Sequence, residues 1–183
     1  MKKEAVVIDT STFVNPASYK LFAKTPEEAF INIIDLLKRR AKLYMPPSVM
    51  EELANFIDYT KIPPSTLTSV SRKPPRKYEI KLPALFIYEL IEEIRARVNK
   101  GLRVAEKSVR KTKNLDERDI IQSLRQEYRL ALREGIIDSK EDADLIILAK
   151  ELKAKLLTCD KGLIKWAHKL GIECLLPQNI KPL

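Results

Sequence analysis

Apolar residues along this chain follow two different patterns. Short blocks made up mostly of apolar residues occur at residues 5–8, 43–45, 155–159 and 172–176, which is typical of strands buried in a sheet. Between these blocks apolar residues recur every three or four positions, as they do over residues 30–37, and this spacing indicates amphipathic helices. Short strands that alternate with helices predict an α/β domain with a parallel sheet.

Capping residues indicate where several helices begin and end. Thr25 precedes Pro26 and is expected to cap a helix that begins at that proline. Helices are also predicted over about 140–153 and 161–170, the second ended by Gly171. These helices complete the alternation with the predicted strands in both end regions of the chain.

The pattern changes in the middle of the chain. Residues 61–83 hold several prolines together with Ser and Thr, which predicts a loop with little regular structure. A long helix follows from Pro83, with Gly101 as the expected point of interruption, and another runs from about 116 to 134. The two are predicted to form a helical hairpin with an apolar seam and a cationic exterior. The predicted division is one domain of residues 1–60 and 136–183, with residues 61–135 as an insertion.

The positive charge of the chain is concentrated in this insertion. The net charge is +9, and residues 61–135 hold 18 Lys and Arg against 10 Asp and Glu. Such a segregated basic surface favours a polyanionic partner, although charge alone fits a solubilising surface equally well. At helical spacing the basic residues of the insertion fall on common faces. The residues predicted to contact the partner are Arg103, Lys107, Arg110, Lys111, Arg118, Arg125, Arg129 and Arg133.

The composition disfavours several classes of protein. The chain holds no apolar span long enough for a membrane helix, and its first residues lack a secretory pattern. Cys159 and Cys174 are expected to be reduced thiols of a cytoplasmic protein, because their spacing fits no zinc site. His168 is the single histidine, so a Ser-His triad is unsupported, and no glycine-rich phosphate loop occurs.

Acidic residues gather where strands end and where a helix begins. Asp138, Asp142 and Asp144 fall within seven residues, directly before an apolar run, while Asp9 and Asp160 each follow a predicted strand. Because the carboxyl ends of parallel strands meet at one edge of a sheet, we expect these carboxylates to lie together there. Like charges in close proximity need a cation, and hard oxygen ligands suit Mg²⁺ or Mn²⁺. Such ions support phosphodiester hydrolysis that leaves a 5′-phosphate and a 3′-hydroxyl.

Each of these acids also has a purely structural interpretation. Asp142 suits the third position of a capping box, and Asp138 suits a turn or a cap. Asp9 and Asp160 likewise suit turns. Asp144 fits a solvated role less well, because apolar residues follow it directly. Their joint placement is what favours a metal site.

Four segments together resemble the ordered acidic motifs of PIN-domain nucleases. They are Val7–Ser11, Pro47–Leu53, Asp142–Ala149 and Leu157–Asp160. The resemblance implies a PIN-like parallel-sheet domain and a metal-dependent nuclease. The metal ligands that it implies are Asp9, Asp142 or Asp144, Asp160, and Glu52. Glu51 is the competing assignment for the family's second acid.

The insertion narrows this resemblance. A basic helical insertion, with Asp138 four residues before Asp142, resembles the Aquifex-type protein-only ribonuclease P and the related archaeal proteins labelled RNA ligase partners. Members of that family remove 5′ leaders from precursor tRNA with Mg²⁺ and form homo-oligomers through the insertion. The resemblance therefore implies an endoribonuclease whose basic residues bind precursor tRNA. The leading catalytic set that it implies is Asp9, Asp138, Asp142 and Asp160, supported by Asp144.

Two other functions are compatible with the same residues. The first is a toxin-like PIN ribonuclease that attacks other RNA, which the basic insertion disfavours. The second is a non-catalytic RNA-binding partner protein, which the retention of every acidic motif disfavours. A comparison of precursor tRNA with mature tRNA as substrate separates the first of these from the predicted activity.

Overall fold

The chain divides into two compact units. The sheet unit comprises Met1–Ile80 with Ile137–Leu183, and the helical unit comprises Lys81–Ile136. The computed structural model describes residues 3–81, 83–111, 116–133 and 139–180, the side chains of residues 111 and 133 excepted.

The sheet unit is built on parallel strands. Within the described residues they are β1 (Glu4–Ile8), β2 (Ala41–Met45), β3 (Val70–Arg72), β4 (Lys155–Leu157) and β5 (Cys174–Leu175). They form one five-stranded sheet in the order β3-β2-β1-β4-β5, and each neighbouring pair is parallel. In the centre, Val6 of β1 pairs with Leu43 of β2 on one side and with Lys155 of β4 on the other. The parallel α/β architecture predicted from the sequence is confirmed.

Helices connect the strands and complete the core. In the sheet unit they are α1 (Ser11–Val14), α2 (Pro16–Tyr19), α3 (Pro26–Leu37), α4 (Pro47–Leu53), α5 (Pro64–Leu67), α8 (Lys140–Leu152) and α9 (Lys161–Lys169). Val7 and Ile8 of β1 point to opposite faces of the sheet and are both completely buried, so both faces of the central strand are covered. Phe13 and Phe30 pack ring against ring in this core, with their centroids 4.7 Å apart.

The predicted helix ends are set by local chemistry. The Thr25 hydroxyl accepts a hydrogen bond from the Glu28 amide at 3.3 Å, so the predicted cap of α3 is confirmed. Helix α8 is followed by Lys153, which adopts the left-handed conformation (φ 49°) that glycine usually supplies. Gly171 has φ +68° just after α9, in agreement with its predicted place at the end of that helix.

Residues 61–83 contain more regular structure than the prolines predict. A 3₁₀ turn at Tyr59–Lys61 and helix α5 precede β3, which adds an edge strand to the sheet. Ile62 and Val70 are buried in the core of the sheet unit. The prolines do not prevent this, because Pro64 occupies the first turn of α5, where its missing N–H has no partner to lose. The structural boundary therefore lies between residues 80 and 81, twenty residues later than expected.

The helical unit is an antiparallel pair, α6 (Leu85–Lys111) and α7 (Glu117–Arg133). The Arg97 side chain of α6 donates to the Leu132 carbonyl of α7, and further along α6 Gly101 meets Tyr128. Helix α6 continues through Gly101 without interruption, which corrects the expectation from sequence. A Cβ atom at Gly101 would lie 2.6 Å from Cε2 of Tyr128, so this glycine serves close helix packing.

The predicted apolar seam of α6 does not face α7. Gly101 and Ser108 are buried, and Lys107 forms a 3.1 Å ion pair with Glu127 of α7. The isoleucine and valine stripe of the same helix stays exposed, which corrects the predicted hairpin seam. The small and polar side of α6 faces α7, because small residues allow the axes of the two helices to come close together. The exposed apolar residues of the stripe are Ile87, Ile91, Ile94 and Val98.

Candidate active site

Asp9 forms the centre of a network of hydroxyl groups at the carboxyl end of β1. It directly follows the strand and is only 6% exposed. The Ser11 hydroxyl and the Thr158 hydroxyl both donate to Oδ2 of Asp9, the latter at 2.6 Å. Two hydroxyl donors on one carboxylate oxygen fix the orientation of Asp9 without cancelling its charge.

The electrostatics at Asp9 favour a bound cation. Burial raises the pKa of Asp9 above its ordinary value, the hydrogen bonds from Ser11 and Thr158 lower it in part, and the charge of Glu52 raises it further. Glu52 is held beside this group by the Thr10 hydroxyl, which donates to its Oε2 at 2.7 Å. A divalent cation would stabilise the ionised form of both carboxylates, and their hard oxygen donors suit such an ion.

The position of Glu52 also separates the two competing glutamates. Glu51 is exposed and forms a 2.6 Å ion pair with Arg72. Glu52, through Thr10, belongs to the surroundings of Asp9. The geometry therefore favours Glu52 as the acid of this helix that serves the site.

Asp160 is tied to Asp9 through Thr158. Thr158 is completely buried, and its hydroxyl accepts from the Asp160 amide at 2.9 Å while it donates to Asp9. The Asp160 carboxylate is exposed, and its Oδ1 caps α9 by accepting from the Leu163 amide at 2.7 Å. Asp160 thus has a structural role as a helix cap in place of the turn expected from sequence, and this role uses only Oδ1 of its carboxylate.

The third acidic motif opens α8. Ser139 caps this helix by accepting from the Asp142 amide at 3.0 Å, which is one half of the expected capping box. Asp144 is 5% exposed, and its Oδ2 accepts from the Ser48 hydroxyl at 2.7 Å. The ammonium of Lys77 lies 2.6 Å from its Oδ1. Asp138 lies outside the described residues.

The sequence-predicted acids therefore fall into two groups. Asp9 and Asp160 share one hydrogen-bond network through Thr158, with the charge of Glu52 close to Asp9, whereas Asp142 and Asp144 are carried by α8. No group of three Asp, Glu, His or Cys residues poised to hold a metal ion occurs in the part of the chain that the structure describes. Sequence reasoning did not identify Thr158, Ser48 or Lys77 as residues of the site, because their partners lie far away along the chain. Only the Thr-x-Asp spacing of residues 158 and 160 could have indicated that Thr158 binds Asp160.

The predicted basic residues lie on the helical unit. Arg118, Arg125 and Arg129 line one shallow cavity of about 500 Å³ on α7, so their predicted common face is observed. Lys107 is engaged by Glu127, and Arg103 and Arg110 are exposed. The side chains of Lys111 and Arg133 lie outside what the structure describes. Among the described helices, none is both long and apolar enough to cross a membrane.

A family comparison defines the class of this protein. The model of the PINc domain ribonuclease family matches residues 5–183. The chain therefore belongs to the PIN-domain ribonucleases, and the predicted endoribonuclease class is confirmed. PIN nucleases generally depend on a divalent metal, which agrees with the carboxylate donors of the site.

Individual relatives narrow the class further. The RNA-free ribonuclease P of Thermodesulfovibrio yellowstonii is 50% identical over 182 residues, which cover 98% of this chain and 93% of that protein. The RNA-free ribonuclease P of Thermococcus onnurineus is 46% identical (96% and 90% covered), and that of Nitrosococcus oceani is 39% identical (97% and 92%). The chain belongs to this family of protein-only ribonucleases P, as the sequence motifs predicted.

The burial of Asp9 generates a prediction for stability. A carboxyl whose pKa is raised in the folded state stabilises the fold when protonated, and this contribution is lost as the pH rises through the folded pKa. In EDTA at neutral pH, Asp9→Asn should therefore raise the thermal unfolding temperature by a few degrees, because the amide oxygen can still accept from both hydroxyls. As the pH falls below about 4, where unfolded Asp protonates, the difference should vanish.

The matched control is Asp35→Asn, which alters an exposed aspartate on α3. Differential scanning calorimetry across pH 4 to 8 should show no comparable gain for that variant. A loss of stability in Asp9→Asn at neutral pH would contradict the argument.

Proposed function

We propose that this protein removes 5′ leaders from precursor tRNA by Mg²⁺-dependent hydrolysis, with Mn²⁺ as an alternative ion, and that the reaction takes place in the cytoplasm. The observation that carries the proposal is the linked pair of Asp9 and Asp160, joined by one buried threonine at the carboxyl edge of a PIN-family sheet. The relatives of this chain are named RNA-free ribonuclease P, which supports the proposal.

The proposed site is assembled from all of the acidic motifs. Asp9, Asp160 and Asp142 are proposed to hold the ion together with Glu52. Asp138 is proposed to belong to the same catalytic set, and Asp144 to support it. A bound divalent ion supplies activation of water and stabilisation of the charge that develops on the phosphate. The contribution of the protein is orientation: Ser11 and Thr158 fix Asp9, and the α9 cap fixes Asp160. Cleavage is proposed to leave a 5′-phosphate and a 3′-hydroxyl.

The helical unit is proposed to bind the RNA. The arginines on α7 form a rigid basic surface, because a helix holds them at fixed spacing. Interactions with phosphates supply affinity and register, while the folded shape of tRNA supplies selectivity. The other basic residues proposed for this surface are Arg103, Lys107, Arg110, Lys111 and Arg133.

The helical unit is also proposed to join subunits into a homo-oligomer. The stripe of α6 leaves Ile91 49% exposed, Ile94 48% exposed and Val98 61% exposed. Contiguous apolar surface of this kind on a single chain is typical of an interface. A second copy of the same helix is the proposed partner, since a two-fold interface pairs a surface with itself.

The activity is tested with a 5′-labelled precursor tRNA. We expect a single cut at the mature 5′ end in Mg²⁺, no cut in EDTA, and no cut of the mature tRNA. Asp142→Asn should lower the cleavage rate by roughly 100-fold or more, the scale of losing a group that stabilises charge in the transition state. The matched control is Asp35→Asn. Cleavage that survives EDTA or Asp142→Asn would overturn the metal mechanism, and equal cleavage of mature tRNA would favour the toxin-like activity.

The basic surface is tested by neutralisation. Replacing Arg118, Arg125 and Arg129 with Gln should weaken binding of precursor tRNA and flatten the salt dependence. The slope of log affinity against log salt concentration should fall by roughly 0.7–0.9 for each phosphate that the variant no longer neutralises. Filter binding between low and high KCl measures both effects.

The control for this experiment removes the same charge elsewhere. Arg39, Arg40 and Lys42 are exposed at the start of β2, at the opposite end of this strand from the acidic edge. Their replacement by Gln should leave the salt slope near that of the parent protein. Equal effects of the two triple variants would show that only net charge matters and would contradict a defined RNA surface.

The proposed assembly is tested by light scattering. The parent protein at micromolar concentration should have a mass several times that of one chain, and Ile91→Arg with Val98→Arg should reduce it, because charges at a packed interface stay unpaired. Phe56→Ser is the control, since Phe56 is 56% exposed on the sheet unit. A monomeric parent protein would contradict the proposal.

A further inference from the structure

A short basic segment of the sheet unit is fastened along one side of α8. This basic segment, residues 73–77, follows β3 and ends four residues before the helical unit begins. Its first residue continues the strand pairing, because the Lys73 amide donates to the Met45 carbonyl at 3.0 Å. Its side chains then turn to two carboxylates of α8, Glu151 and Asp144.

Glu151 anchors the first part of the basic segment. The Lys73 ammonium lies 2.8 Å from Oε1 of Glu151, and the Arg76 amide donates to its Oε2 at 2.9 Å. Burial opposes ionisation of Glu151, but these donors and their charge outweigh it and lower the pKa of this carboxyl. The Glu151 carboxylate thus holds the segment to the helix through this ion pair and this backbone hydrogen bond.

Asp144 anchors the second part. It lies seven residues before Glu151, which is two helical turns, so both carboxylates lie on the same side of α8. Its side chain is 8% exposed, and the Lys77 ammonium sits 2.6 Å from Oδ1. The Ser48 hydroxyl occupies Oδ2 at 2.7 Å. Both oxygens of this buried carboxylate are therefore engaged by the protein itself.

The surroundings of Asp144 differ in kind from those of Asp9. Asp9 receives its side-chain hydrogen bonds from neutral hydroxyls, so its charge is left for an added cation to balance. Asp144 has a full positive charge directly beside it. A divalent ion on Asp144 would have to displace the lysine and meet its repulsion, which costs energy in a poorly solvated place.

We propose that Lys77 is a positioning residue of the active site, and that Asp144 is its fixed partner rather than a ligand of the divalent ion. The Lys77–Asp144 pair, with Ser48, holds the second turn of α8 against the basic segment and α4. The cap at Ser139 holds the first turn, and Asp142 lies between these two fixed points. The catalytic consequence of this arrangement rests on the proposed function; the fixed pair itself does not.

The test is a double-mutant cycle of Lys77→Met, Asp144→Asn and the two combined. In EDTA, Lys77→Met should lower the thermal unfolding temperature by several degrees, because it leaves the buried Asp144 carboxylate without its cation. Asp144→Asn should lower it less, because the Lys77 side chain is 53% exposed and water can solvate its ammonium. The unfolding temperature of the combined variant should be no lower than that of the less stable single variant, because the two residues act as one unit. Lys61→Met is the control, since Lys61 is 67% exposed in a surface pair.

Metal binding is measured directly by Mn²⁺ titration with electron paramagnetic resonance. The proposal expects the affinity for Mn²⁺ to stay unchanged in all three variants. If Asp144 were a ligand instead, Asp144→Asn would weaken Mn²⁺ binding by about tenfold or more, and Lys77→Met would tighten it by removing a competing cation. Either of those results overturns the proposal.

Cleavage of precursor tRNA gives the third measurement. Lys77→Met should lower kcat by roughly 10–100-fold with the half-saturating Mg²⁺ concentration unchanged, and Lys77→Arg should restore most of the rate by keeping the charge. A Lys77→Met enzyme that matches Lys61→Met in rate and stability overturns the proposal. If the parent protein cleaves no precursor tRNA, the proposed function fails, while unfolding and Mn²⁺ binding still decide the role of Lys77.

Discussion

The structure depends on placing negative charge at the edge of a largely apolar sheet. Asp9 follows a completely buried strand segment and is itself 6% exposed, which disfavours its ionised form. Two hydroxyls on one of its oxygens offset this cost in part, and Glu52 adds to it. The fold therefore holds in place a carboxylate whose charge the protein does not fully balance, and a divalent ion can complete that balance.

Two buried carboxylates of the same unit are stabilised in different ways. Asp9 accepts hydrogen bonds from neutral hydroxyls, which orient it and do not balance its charge. Asp144 has a lysine directly beside it, so the protein balances its charge internally. The first arrangement suits a group that must take part in chemistry, and the second suits a group that must keep a helix in place. Residue type alone does not distinguish them, since both are aspartates in acidic motifs.

The helical unit shows a comparable division of surfaces. Close packing of α6 on α7 needs a small residue at Gly101, because any side chain there would meet Tyr128. The small and polar side of α6 therefore faces α7, and the isoleucine stripe of α6 stays exposed. On α7, arginines share one face. One pair of helices thus offers an apolar surface suited to another protein chain and a basic surface suited to a polyanion.

The order of residues was enough to establish the alternation of strands and helices, the caps at Thr25 and Gly171, and the acids at the strand ends, because periodicity and capping act between near neighbours. It also established the family, since the acidic motifs occur in order. That Thr158 joins Asp9 to Asp160 became visible only in the folded chain, because those hydrogen bonds connect residues distant in sequence. The ion pair of Lys77 with Asp144 and the strand β3 after the prolines also became visible only in the folded chain. The face of α6 that packs on α7 is a further example, because close helix packing at Gly101 determines it and the apolar pattern does not.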